Sequence, residues 1–384
     1  MRLSRRRFLA SSAAAGAGLL AAACAGDEAT VRLPDLSRGQ DSRLRIDNWP
    51  EYIDPETVAL FEEETGIAVT YLEEYADNQS ALAAGGVIRA LEAGAATGYD
   101  VIVPTYWVVD RLLKRGLLEQ IPIERVPNHV NVDPLFLEVP WDRGARYHMP
   151  WQAGLTGIAW NPAQTGGREI RSVAQLVSDP ALRGRVGMVT EMREVVGLLM
   201  LVAGADPSRV TAAAAEAALD DLEEIVAAGQ VKHFAGTEVQ DLLPDGTFAA
   251  CLAWSGDVVQ LQAQHPDLGF AIPEEGGIRW FDSMVIPKGT GRLRAAADWM
   301  NYVYDPVNAA RITSFVQYIS PVVGVREELA RQGGDGVALA ENPILFPDDE
   351  TRRRLFFWSG LDAATEASLQ DRFDRIIDPL LFRG

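Results

Sequence analysis

Residues 44–71 run LRIDNWPEYIDPETVALFEEETGIAVTY, and their order of elements decides the fold class. Leu44–Asn48 alternates apolar and polar side chains as a strand does. Asp54 is placed to cap a helix whose first residue is Pro55, a position where the missing N–H costs nothing. Val58, Leu60 and Phe61 give that helix an apolar face, Gly66 ends it, and Ile67–Tyr71 is again a strand. The pattern continues outward. Ser80–Glu92 reads as a helix, Tyr99–Pro104 as a short buried strand, and Val108–Arg115 as a helix closed by Gly116. Strand and helix in regular alternation predict an α/β protein.

A second αβ region follows Trp160. It comprises a short helix from Val173, a strand at Val186–Val189, and helices at Glu194–Val202 and Thr211–Ala228. Strands follow at Phe248–Trp254, Leu268–Ile272 and Ser283–Ile286. Helices are expected at Asp257–Gln264, Arg294–Tyr304, Pro306–Val316 and Asp362–Ile377. No repeat or coiled-coil heptad interrupts them.

The N-terminus reads as an address. Ser4-Arg5-Arg6-Arg7-Phe8-Leu9 is a twin-arginine signature, and the Ala/Gly-rich stretch Ala13–Ala23 behind it is too short for a confident membrane span. Leu20-Ala21-Ala22-Ala23-Cys24 resembles a bacterial lipobox, with the large aliphatic one place further upstream than usual. Residues 1–24 are therefore expected to be an export signal with Cys24 as the lipidated first residue of the mature chain, and 25–42 a polar tether. The expected location is periplasmic or otherwise extracytoplasmic, held to the membrane by lipid.

The 384 residues carry a net charge of −19, and the leader contributes four arginines and no acid, so the rest carries −23. Such a surface repels nucleic acid and attracts cations. Of the two cysteines, Cys251 lies in an apolar run and reads as a buried small hydrophobe, and the four histidines show no metal-ligand spacing. Walker, GxSxG and GxGxxG motifs are absent. No cofactor, metal or catalytic residue is expected.

Several further pieces fall in one order: Asp47-Asn48-Trp49-Pro50-Glu51-Tyr52-Ile53, Phe61 to Ile67, Tyr99 to Thr105, Pro150-Trp151-Gln152-Ala153-Gly154, Arg193-Glu194-Val195, Ala253-Trp254-Ser255-Gly256, Pro273-Glu274-Glu275-Gly276-Gly277 and Trp280-Phe281-Asp282-Ser283. From about residue 43 to the C-terminus they resemble the spermidine/putrescine-binding proteins of bacterial ABC importers. The resemblance implies a two-lobed periplasmic-binding-protein fold of type II with a ligand cleft between lobes. The expected lobes are 43–160 plus 281–326 and 161–280 plus 327–384. It also implies a monomer that captures a polyamine and delivers it to a membrane permease and ATPase.

Carried over position by position, the resemblance makes Trp49, Tyr52, Thr105, Trp107, Trp254, Trp280 and Tyr318 ligand-lining residues and Glu191, Glu194 and Asp282 the acids. Asp282 would meet a secondary amine or an ammonium, and Glu191 and Glu194 the terminal ammonium. Carboxylates at ammonium spacing between aromatic walls suit a polyamine, because ring faces also attract cations. The chain departs from the family at Pro50, at Thr105-Tyr106-Trp107, at Glu191 in place of Asp, and near Trp358-Ser359-Gly360, where a late Gln is replaced. Two alternatives stand beside this reading. One is the same fold holding another organic cation. The other is an exported hydrolase using Glu191 and Asp282 as an acid/base pair.

Overall fold

The computed structural model describes residues 42–75, 78–83 and 85–382. The leader, Cys24 and most of the tether lie outside them. The opening stretch folds as its sequence dictates. Strand β1 (Arg43–Asp47) is followed by the helix Pro55–Thr65 and by β2 (Ala68–Leu72). Asp54 accepts from the N–H groups of Glu56 and Thr57, and Gly66 closes the helix in the left-handed conformation. With β3 (Val101–Ile102), these strands make a parallel sheet ordered β2-β1-β3, and the short strands β4 (Glu138–Val139) and β5 (Asp142–Arg143) pair antiparallel apart from it.

A larger sheet is built on β6 (Met149–Trp160), which sequence patterning does not show as a strand. All twelve of its residues are buried. The alternation that marks a half-exposed strand is therefore absent, and Pro150, Gly154 and Gly157 read as punctuation instead. Along the sheet lie β12 (Leu355–Phe356), β11 (Gly277–Met284), β6, β9 (Ala250–Trp254), β7 (Val186–Met188) and β8 (Val231–Phe234), while β10 (Gly269–Ala271) pairs with β6. β6 runs antiparallel to β9 and β11.

Two expectations are corrected. The helix expected over 80–92 is two short helices, Asn78–Leu82 and Val87–Glu92. The chain folds back so tightly between them that a Cβ on Gly86 would stand 2.2 Å from the Ser80 carbonyl oxygen. The strand expected at 283–286 begins at Gly277, because its first half is held by β6. Glu275, just ahead of it, has a local task. Its carboxylate accepts from the Ser172 hydroxyl and the Val173 and Ala174 N–H groups, capping the helix Val173–Ser178. Burial pushes this carboxyl up, but those donors outweigh it and hold the group below the usual range.

β11 joins the two sheets. Trp280 pairs with Gly154 of β6, the register shifts between Phe281 and Ser283, and Asp282 bridges to Thr105, just beyond β3. Pairing with β6 resumes at Ser283 and Met284, and Val285 then bridges to Ile102 of β3, so the strand touches both sheets in turn. Cys251 is fully buried in an apolar cluster, as its sequence context suggests.

Candidate functional site

The ends of β1, β3, β9 and β11 and the start of the helix Met192–Val202 converge on one cavity of about 590 Å³. All ten residues singled out above line it: Trp49, Tyr52, Thr105, Trp107, Glu191, Glu194, Trp254, Trp280, Asp282 and Tyr318. Strand ends are where open α/β sheets place ligands.

Asp282 is 4% exposed. Its Oδ1 accepts from the Thr105 hydroxyl at 2.7 Å and its Oδ2 from the Tyr52 hydroxyl at 3.1 Å. Tyr52 reaches it from a tight turn after β1, where Pro50 precedes Glu51 with a φ of 56°. Proline followed by a left-handed residue is the arrangement of a type II turn, so Pro50 sets the turn that aims Tyr52. Burial pushes the Asp282 carboxyl up to about 7, against the pull of the two hydroxyls and with a push from Glu191.

Glu194 lies in the first turn of its helix and is 8% exposed. Its Oε2 accepts from the Thr156 hydroxyl at 2.5 Å and the Trp254 indole at 2.8 Å. Burial raises it to about 8; the negative charges of Glu191 and Asp282 add to the rise while the two donors oppose it. Among the described residues, no lysine, arginine or histidine forms a salt bridge with Asp282 or Glu194; their donors are hydroxyls and an indole.

The aromatic walls are packed against backbone. Trp280 and Tyr318 lie 5.8 Å apart between centroids, Trp254 and Trp280 6.5 Å, and Tyr52 meets Tyr318 edge-on at 5.5 Å. Trp280 rests on β6 only because Gly154 has no side chain: a Cβ there would stand 2.3 Å from the ring. Gly154→Ala is therefore expected to displace Trp280 and lower stability by about 1–3 kcal/mol. Thermal unfolding together with tryptophan fluorescence checks this, and an unshifted midpoint with unchanged emission contradicts it. Gly256 does the same for Tyr318, whose hydroxyl donates to Asp257 at 2.9 Å.

Two candidates have extra attachments. The Trp49 indole donates to the Val103 carbonyl at 2.7 Å, tying the β1 turn to the end of β3. The Trp107 ring carries the Arg193 guanidinium 3.6 Å from its centroid, and Arg193 pairs with Glu366 at 2.5 Å. Trp358, where the family's late Gln was sought, is 2% exposed and its indole donates to Glu366, so it supports that pair from behind.

Sequence reasoning missed Thr156 and Asn78. The Thr156 hydroxyl donates to Glu194 and accepts from the Trp280 indole at 3.1 Å, joining an acid to a wall. Asn78 donates to Thr105 at 2.9 Å and to Glu191 at 3.5 Å. A single threonine in an apolar run and an asparagine in a polar one carry no signal of their own.

Residues 56–343 match the bacterial extracellular solute-binding protein family, and the chain belongs to that family. It is 27% identical over 311 residues to the spermidine/putrescine-binding periplasmic protein of Escherichia coli strain K12, covering 81% of this chain and 85% of the relative. It is 26% identical over 334 residues to a putrescine-binding periplasmic protein of the same organism, covering 83% and 86%. A solved structure from Listeria monocytogenes superposes with a TM-score of 0.76 at 26% identity, covering 87% of this chain and 98% of that one. The fold is likewise shared with the spermidine/putrescine ABC transporter substrate-binding protein of Streptococcus pneumoniae, with a TM-score of 0.73 at 24% identity over 87% and 98%. No helix of the described residues is long and apolar enough to cross a membrane.

Proposed function

We propose that this protein is the receptor of an ABC importer and that its cleft captures a polyamine of the putrescine or spermidine class. The observation that carries the reading is the pair of buried carboxylates, Asp282 and Glu194, held among aromatic rings by neutral donors alone. Buried acids without a cation are costly to ionise, so the site gains most from a guest that brings the positive charge. Rings at Trp254, Trp280 and Tyr318 suit the methylene chain between ammonium groups. The two curated relatives named above support the same ligand class.

The proposed lobes are 43–160 plus 281–326 and 161–280 plus 327–384, closing on the ligand by a hinge. The ligand leaves chemically unchanged, and the protein works as a monomer that docks on a permease. The test is a thermal-shift panel with putrescine, cadaverine, spermidine, spermine, glycine betaine and arginine. A ligand at a hundred times its dissociation constant adds about 2.7 kcal/mol, which moves the midpoint by a few degrees. Shifts with polyamines alone support the reading; a folded protein silent to every polyamine overturns it.

Lipid anchoring through Cys24 completes the proposal. Cys24→Ala is expected to move the protein from the membrane fraction to the soluble one and leave ligand binding intact. Persistent membrane association contradicts a lipid at Cys24.

A further inference from the structure

Asn78 opens the short helix Asn78–Leu82 between β2 and β3 and is 1% exposed. Among the described residues, its amide bonds to side chains alone. It accepts from the Tyr75 hydroxyl at 2.9 Å and donates to the Thr105 hydroxyl at 2.9 Å and to Glu191 Oε1 at 3.5 Å. Tyr75 is itself fixed, with its ring 4.9 Å from that of Trp49. Thr105 follows β3 of the smaller sheet and Glu191 follows β7 of the larger. One buried amide therefore ties together groups brought to the cavity by both sheets.

The acids at the two ends decide the direction of these bonds. An ionised carboxylate only accepts, so the edge of the amide that meets Glu191 is its NH2 group, and the Asn78 oxygen is turned to Tyr75. The other N–H of the amide then falls on the Thr105 oxygen. A hydroxyl has one proton, and that of Thr105 is left for Asp282 Oδ1, 2.7 Å away. The same construction stands at Glu194. The Trp280 indole, which only donates, meets the Thr156 oxygen, and the Thr156 proton goes to Glu194. At each buried acid a threonine stands between an N–H group and the carboxylate. At Glu194 that N–H belongs to an aromatic wall, and at Asp282 it belongs to Asn78.

We propose that Asn78 is a positioning residue of the ligand site, turning the Thr105 hydroxyl onto Asp282 and holding Glu191, so that the two carboxylates keep one spacing and both offer accepting oxygens to an ammonium guest. The proposal rests on the polyamine reading and adds to it a residue that acts on the guest through its neighbours.

The experiment is calorimetric titration of the whole protein with putrescine, for the wild type, Asn78→Leu, Thr105→Val and the two combined. Leucine keeps the volume of the side chain and removes both donors. Thermal midpoints check the fold, and Asn78→Ala takes its place should the leucine variant not fold. Asn78→Leu weakens putrescine by about tenfold, the order of a hydrogen bond to a charged group. In Thr105→Val protein, where the route to Asp282 is already cut, the same substitution costs about threefold, which is the part carried by Glu191. Stopped-flow tryptophan fluorescence places the loss in dissociation. No loss in a folded Asn78 variant, an equal loss with and without the Thr105 hydroxyl, or a loss carried by association overturns the role of Asn78 and leaves the polyamine reading standing. A wild-type protein that binds no polyamine overturns that reading, and the role with it.

Discussion

Asp282→Asn lowers the affinity for putrescine by about 100-fold or more. The carboxylate is buried and its two oxygens accept from Thr105 and Tyr52, so it is fixed before any ligand arrives. An amide of the same shape keeps the volume and removes the charge. It also turns an NH2 group toward hydroxyls that now donate to the carboxylate. Taking away one member of a buried ion pair costs about 3–5 kcal/mol, and each 1.4 kcal/mol is tenfold in affinity. The ligand-free variant is expected to be at least as stable as the wild type at pH 8, since it no longer buries a negative charge. Calorimetric titration and thermal unfolding measure the two halves separately. Unchanged affinity in a folded variant removes Asp282 from the site.

The second large effect is on pH. Burial holds Asp282 at about 7 and Glu194 at about 8, both above the values of an unfolded chain. Between roughly pH 4 and 8 the folded, ligand-free protein therefore binds more protons than the unfolded chain does. Through these two groups, stability falls as pH rises across that window. An ammonium ligand, protonated throughout this range, favours the ionised acids and drives their protons off. Affinity for putrescine accordingly rises with pH, by about 100-fold between pH 5 and pH 8 if one carboxyl of pKa 7 is titrated by binding. Titrations in buffers of different ionisation heat should register proton release near pH 6.5. Glu194→Gln should flatten the profile, leaving Asp282 as the remaining source. An affinity independent of pH would mean that both acids are already ionised in the empty cleft.

How much of this was legible in the chain depends on how local the cause is. The helix Pro55–Thr65 is written out in Asp54, Pro55 and Gly66, and it forms where those residues place it. Strand β6 is not, because its cause is the sheet on either side of it, which removes the alternation a reader looks for. The cleft follows the same rule. Trp280 and Asp282 stand out by their chemistry and by the family resemblance. Thr156 gains its role only when β6 brings it under Glu194 and Trp280, and nothing near Trp107 in the sequence announces that Arg193 will cover its ring.

The double attachment of β11 has a mechanical meaning. Trp280 is registered on the larger sheet and Asp282 on the end of the smaller one, two residues further along the same strand. A ligand that touches both residues rests on a segment pinned from two sides. Ring and carboxylate keep their separation, because Ser283 and Met284 return to β6 directly after Asp282. The cleft thus meets a guest with its ring and its acid already in place.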